Sequence, residues 1–180
     1  MILLVNVCEE KLHYYEFVKP IEDILKRDGV EFFTKHYAEI HEEDLMNCSK
    51  VIICGTSLRD NGFMDNIDRF TWVKDFEKPL LGICAGMQII GIVFDGKIKK
   101  HSEIGFFREN FKDNFLGLNN DAEVYHLHNY YVDFSKVKNF EIFSYGEIPQ
   151  AVKHKHKKIY GVLFHPEVRQ KELIKEFVNA

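Results

Sequence analysis

No stretch of the 180-residue sequence approaches the ~20 consecutive apolar residues that span a bilayer, so no membrane role is expected. The opening MILLVNVCEE is too short and too soon acidic for a secretory signal, and reads as a buried first strand. There is no excess of basic charge. Lys and Arg number 24 against 28 Asp and Glu, and the net charge of −4 speaks against a general nucleic-acid binder. Cysteine is sparse and scattered: Cys8, Cys48, Cys54 and Cys84 form no CxxC pair, which points to a reduced, cytoplasmic protein. No repeat, low-complexity tract or linker breaks the chain. Its length suits one well-cored domain and not two, so residues 1–180 are read as a single domain. With 46% hydrophobic and 29% charged residues, the class is soluble and globular.

What is present is an alternation. MILLVNV, VIICG and PLLGI are short, nearly continuous apolar runs ended by glycine or polar residues, the pattern of parallel strands buried on both faces. FVKPIEDILKRDG reads as a helix with Pro20 near its start and Gly29 as its stop. EFFTKHY follows as a strand, and NIDRFTWVKDF as another helix before PLLGI. Strand and helix in alternation predict an α/β fold with a central, mostly parallel sheet flanked by helices. After residue 95 the segments KIKKHSEIGFFREN, EVYHLHNYYV, FEIFSYG, PQAVKHK and KIYGVLF predict antiparallel strands, and ELIKEFVNA a closing helix. KHKHKK, residues 153–158, reads as a solvated hairpin turn, with a docking patch for an acidic partner as the sharper alternative.

KPLLGICAGMQIIG, residues 78–91, sets Cys84 between Gly82 and Gly86 at the junction of a strand and a helix. A sharp turn there presents its central residue at the carboxyl edge of the sheet, where open α/β sheets bind ligands. Flanking glycines remove the Cβ atoms that would collide, as in the G-x-S-x-G elbow of hydrolases. The positive end of the following helix favours thiolate, and the Ala85 N–H would be placed to hold an oxyanion. The plainer reading is a small buried cysteine with glycines packing a helix on a sheet.

GVLFHPEV lies downstream, with His165 81 residues beyond Cys84. Pro166 biases His165 toward extended backbone, and in extended chain residues i and i+2 share a face. Glu167 can therefore orient the His165 imidazole. Cys84, His165 and Glu167 together supply a nucleophile, its base and an orienting carboxylate.

LGICAGMQIIG followed by YGVLFHPEV resembles the class I, or triad, glutamine amidotransferase family, and the likeness covers nearly the whole chain. The resemblance implies a flavodoxin-like fold without cofactor, glutamine as substrate, Cys84 as nucleophile, His165 as general acid and base, and Glu167 as orienting residue. It implies hydrolysis of the side-chain amide through a glutamyl thioester, with release of ammonia. Gln88 matches a family position that helps bind glutamine. HSEIGFF is similar to the family's acidic-x-Gly stretch. EVYHLHNYYV is similar to the segment lining the glutamine pocket, which assigns Leu127, His128 and Asn129 to that wall. His126 and His128 alternate onto one strand face, which zinc accepts. No third ligand suggests itself from the sequence, so no metal is expected.

Two departures stand out. Where the family has Gly-Gly-Pro, this chain has ICGTSLRDNG, so Gly55 or Thr56 must supply the second oxyanion N–H, and a non-glycine would reach that conformation at some strain. Leu163 replaces a frequent glutamine and is expected to face the core. The G-I-C-x-G-M-Q form is most like the stand-alone glutaminase component of GMP synthetase, which implies a separate synthetase partner. A partner-independent gamma-glutamyl hydrolase and a non-catalytic binding module that keeps the fold are the alternatives. A flavodoxin-like cofactor binder is disfavoured by the paired motifs.

Overall fold

The computed structural model describes residues 1–180, apart from the side chains of residues 113, 114 and 119. Its nine strands are β1 (Ile2–Asn6), β2 (Phe32–His36), β3 (Lys50–Ile53), β4 (Leu80–Ile83), β5 (Lys97–Phe115), β6 (Leu118–Asp133), β7 (Phe140–Ile142), β8 (Ala151–His154) and β9 (Ile159–Val162). Seven of them form the central sheet, in the order β2-β1-β3-β4-β9-β8-β7. β1, β2, β3, β4 and β9 pair in parallel, and β8 and β7 continue the edge antiparallel. The mostly parallel sheet with antiparallel strands in the C-terminal half is the predicted class.

Six α-helices accompany the strands: α1 (Lys11–Phe17), α2 (Lys19–Arg27), α3 (Glu42–Asn47), α4 (Gly62–Asp65), α5 (Ala85–Val93) and α6 (Glu172–Asn179). Alternation of side chains explains why the strand sequences are apolar without a break. Ile2, Leu4, Ile52, Leu81 and Ile83 enter one core, with Ile21 and Leu25 from α2 and Ile174 and Phe177 from α6. Leu3, Val5, Val51, Ile53 and Leu80 enter the other, with Met87, Ile89 and Ile90 from α5 and with Phe70 and Val73. Both faces are covered, so neither can be polar.

Two helical segments differ from the sequence reading. The separate helix α1 precedes α2, and Pro20 sits in the first turn of α2. Proline has no N–H to extend the ladder of α1, so the chain restarts there. Residues Ile67–Lys74, read simply as a helix, form a 3₁₀ helix. Ile67, Thr71 and Val73 are β-branched and lose rotamer freedom in an α-helix, and the period of three places buried Phe70 and Val73 on one edge.

β5 and β6 form a two-stranded antiparallel sheet of their own, longer than the segments predicted for them. The hairpin rejoins the main body through the His165 N–H, which donates to the Tyr125 carbonyl at 2.8 Å. Residues 155–158 are the hairpin turn between β8 and β9, stapled by the His154 imidazole, which accepts from the backbone N–H groups of His156 and Lys157.

Candidate active site

β4 ends at Ile83 and α5 begins at Ala85, so Cys84 makes the whole turn between them. It does so at φ 49°, ψ −102°, a left-handed backbone that costs a non-glycine residue of order 1–3 kcal/mol and must be imposed by its surroundings. The glycines show how. A Cβ on Gly86 would lie 2.2 Å from the Ile53 carbonyl oxygen, and one on Gly82 would lie 2.5 Å from the Gly86 backbone. Backbone meets backbone at both points, so strand and helix can approach only without side chains. Gly86→Ala should therefore destabilise the fold by about 3 kcal/mol, the upper end of overpacking costs, as read by urea unfolding.

His165 and Glu167 follow β9, which pairs with β4 in the register Ile83↔Val162. That register brings both chain segments out of the sheet at the same edge. The His165 Nδ1–H donates to Glu167 Oε1 at 2.7 Å, with both side chains 1% exposed. His165 Nε2 is buried and has no hydrogen-bond partner among the described residues. The Cys84 thiol points to the Leu127 carbonyl at 3.6 Å. Gly55 lies between the two: a Cβ there would sit 2.7 Å from His165 Cε1 and 3.4 Å from Cys84 Cβ. Burial lowers the pKa of His165, but the Glu167 carboxylate and the Cys84 sulfur outweigh it and hold the imidazole well above its ordinary value.

A cavity of about 20 Å³ lies against Cys84, lined among others by Thr56, Asp60, Gln88, Leu127, His128 and Asn129. The residues assigned to the pocket wall by resemblance thus share one cavity. Its volume is that of roughly one water, so a larger ligand needs the wall to move. Gln88 Nε2 donates to the Tyr130 carbonyl at 2.7 Å, tying α5 to β6. Larger hollows, such as the 220 Å³ groove lined by Ile24, Leu25 and Ile174, lie away from the cysteine.

The loop after β3 carries Gly55 and Thr56. Thr56 is not at positive φ, so the strain expected of a non-glycine there is absent in this conformation. Its hydroxyl donates to Asp60 Oδ2 at 2.7 Å, and the same oxygen takes His13 Nδ1 at 2.7 Å and the Glu9 N–H at 3.2 Å. Sequence reasoning missed this anchor. Nothing local marks Asp60, since its partners on α1 and just before it sit about 50 residues upstream. Leu163 is fully buried in the core, as expected.

A third residue able to join His126 and His128 as a ligand, which the sequence did not suggest, lies across the hairpin. Ligand atoms of Glu103, His126 and His128 lie within 4.8 Å of one another.

Among the described residues, no helix is long and apolar enough to cross a membrane. The chain is 40% identical to a glutamine-hydrolyzing GMP synthase subunit of Methanococcus aeolicus over 103 residues, which cover 52% of this chain and 53% of that one. It is 30% identical to the glutamine-hydrolyzing GMP synthase of Bacillus licheniformis over 194 residues, 97% of this chain and 37% of that one. The matches thus span about half or less of the length of these curated relatives. In fold it is similar to a Thermoplasma acidophilum protein described as a GMP synthase subunit, with a TM-score of 0.85 at 21% identity over 99% of this chain and 92% of that one. A glutamine amidotransferase of Thermotoga maritima superposes with a TM-score of 0.71 at 21% identity, over 99% and 82%. Residues 13–179 match the family described as glutamine amidotransferase class-I, and the chain belongs to that family.

Proposed function

We propose that this chain is a glutaminase domain that hydrolyses the side-chain amide of glutamine through a thioester on Cys84 and passes ammonia to a separate synthetase, of the kind that makes GMP. One observation carries the reading. A buried His165–Glu167 pair, its Nε2 without a partner among the described residues, stands beside a cysteine held at positive φ at the head of a helix. In the first half-reaction the thiol proton resides on His165 Nε2 and Cys84 Sγ attacks the amide carbon. The oxyanion is held by the N–H of Ala85, which as a first-turn donor has no intrahelical partner, and by that of Gly55 or Thr56. His165 then hands the proton to the departing nitrogen, and ammonia leaves. In the second half-reaction His165 draws a proton from water, hydroxide attacks the thioester, and glutamate departs as the thiol is restored. Gln88, Leu127, His128 and Asn129 line the glutamine pocket. The likeness to the glutamine-hydrolyzing GMP synthase of Methanococcus aeolicus supports the choice of partner.

The closed cavity adds a condition. Free ammonia released into water is lost to an acceptor, so a glutaminase gains by firing only when docked. The loop at residues 54–57, anchored through Thr56 to Asp60, is the wall that has to shift. Removal of one oxyanion donor costs about 10²–10³ in rate in a measured protease. We therefore expect slow glutamine hydrolysis by the isolated protein and an acceleration over a comparable range by the synthetase with its nucleotide substrate. Ammonia release with and without that partner is the test. Full activity alone, unchanged by any partner, would replace this reading by an independent gamma-glutamyl hydrolase. Glutamine bound but never hydrolysed would replace it by a binding module.

A further inference from the structure

Glu103, His126 and His128 meet on one side of the β5–β6 hairpin. The register pairs Glu103 with His128 and Gly105 with His126, so the three residues occupy adjacent positions of one antiparallel ladder. Both imidazoles are fully buried, and Glu103 is 14% exposed. His128 Nε2 lies 2.9 Å from Glu103 Oε2, and His126 Nδ1 lies 3.7 Å from the same oxygen. The other nitrogen of His126, Nε2, faces Glu109 Oε1 at 3.2 Å.

These distances assign the tautomer of His126. Nε2 faces a carboxylate, which only accepts, so Nε2 carries the proton. If the ring carries that one proton alone, Nδ1 is a bare lone pair, buried and without a hydrogen-bond partner among the described residues, aimed at a second carboxylate oxygen. Two lone pairs facing each other at 3.7 Å repel unless a proton or a metal cation lies between them. The arrangement carboxylate–imidazole–vacant nitrogen is the support that metal-ligating histidines use, the outer carboxylate fixing the ring and raising its basicity. Gln150 Nε2 supports the inner carboxylate in the same way, donating to Glu103 Oε2 at 2.8 Å.

We propose that Glu103 Oε2, His126 Nδ1 and His128 Nε2 form a binding site for a divalent transition cation of the zinc type. Two nitrogens and one carboxylate oxygen are a donor set that zinc accepts, with bonds of about 2.0–2.2 Å and a fourth position for water. The spread of the three donors, within 4.8 Å, needs only a small inward movement to reach such a shell. On binding, His128 exchanges its hydrogen bond to Glu103 for the metal, and its proton moves to Nδ1. The ion would clamp β6 on either side of Leu127, whose carbonyl faces the Cys84 thiol, and so brace one wall of the pocket.

The test is a titration of chelator-treated protein with Co²⁺, followed by the visible absorption of a tetrahedral N/O site, then displacement by Zn²⁺ with metal counted by mass spectrometry. Running it in Cys84→Ser as well as in the wild type separates this site from thiolate binding, and the readout does not depend on glutamine hydrolysis. One equivalent should bind in both, and the melting temperature should rise with metal. Binding should be lost in His126→Asn and in Glu103→Gln. Glu109→Gln, which leaves the three ligands in place, should weaken it by about 10–100-fold. Failure of the wild type to bind one saturable equivalent would overturn the site and leave His126 as an imidazolium bridging Glu103 and Glu109. So would binding that survives both ligand variants, or that disappears in Cys84→Ser.

Discussion

Replacing Cys84 by serine should lower the kcat for glutamine hydrolysis by about 10⁶-fold, the scale measured when the nucleophile of a serine-protease triad is removed. The fold should survive, because serine can occupy the same elbow and the glycine contacts that shape it are untouched. A glutamine-mimicking electrophile should leave one adduct on the wild-type protein, on Cys84, and none on the variant. The other thiols are poor competitors. Burial pushes Cys8 up to about 11 and raises Cys48, and it holds Cys54 well above the ordinary thiol range. A raised pKa removes thiolate at neutral pH, and thiolate is the reactive species. Labelling spread over Cys8, Cys48 and Cys54 in the mass spectrum, or near-normal turnover by Cys84→Ser, would remove Cys84 from the role.

His165→Ala and Glu167→Gln should differ in size. In the proposed mechanism His165 moves a proton in each half-reaction, so its loss should cost about as much as loss of the nucleophile. In that mechanism Glu167 acts only through the imidazole, and loss of such an orienting carboxylate costs about 3 × 10⁴ in the measured case. The reverse order of activities would mean the roles are misassigned. The pair also predicts a pH effect. His165 is raised in the folded protein, against the effect of burial, chiefly by Glu167. A raised folded pKa means that the pair's stabilisation is fully present below the unfolded value of about 6.5 and is lost as pH rises through the higher folded value. The imidazole Cε1–H resonance should therefore titrate well above 6.5 in the wild type and fall in Glu167→Gln. The stability difference between wild type and variant should shrink toward high pH. An unshifted resonance in Glu167→Gln would show that the carboxylate does not set the charge of His165.

What the sequence determined alone is local. Period and composition mark a strand or helix because each residue's face follows from its neighbours, and so the parallel strands, α2 and the elbow at Gly82-Ile83-Cys84-Ala85-Gly86 were legible. His165-Pro166-Glu167 was legible for the same reason, since two residues in extended chain share a face whatever surrounds them. The helix at residues 67–74 was legible too, but not its 3₁₀ type, because its apolar spacing fits a 3₁₀ helix as well as an α-helix. What only the tertiary structure decided is register, which no local pattern encodes. Pairing of Ile83 with Val162 puts Cys84 and His165 at one sheet edge although 81 residues separate them. Pairing of Glu103 with His128 brings three potential metal ligands together, which the His126-Leu127-His128 run could not announce. The tie from His13 through Asp60 to Thr56 anchors the loop after β3 to α1 across 47 residues of sequence, and no local pattern announces it. These contacts are made by long-range closure of the chain, and their free energy lies in the packing that orders both partners at once.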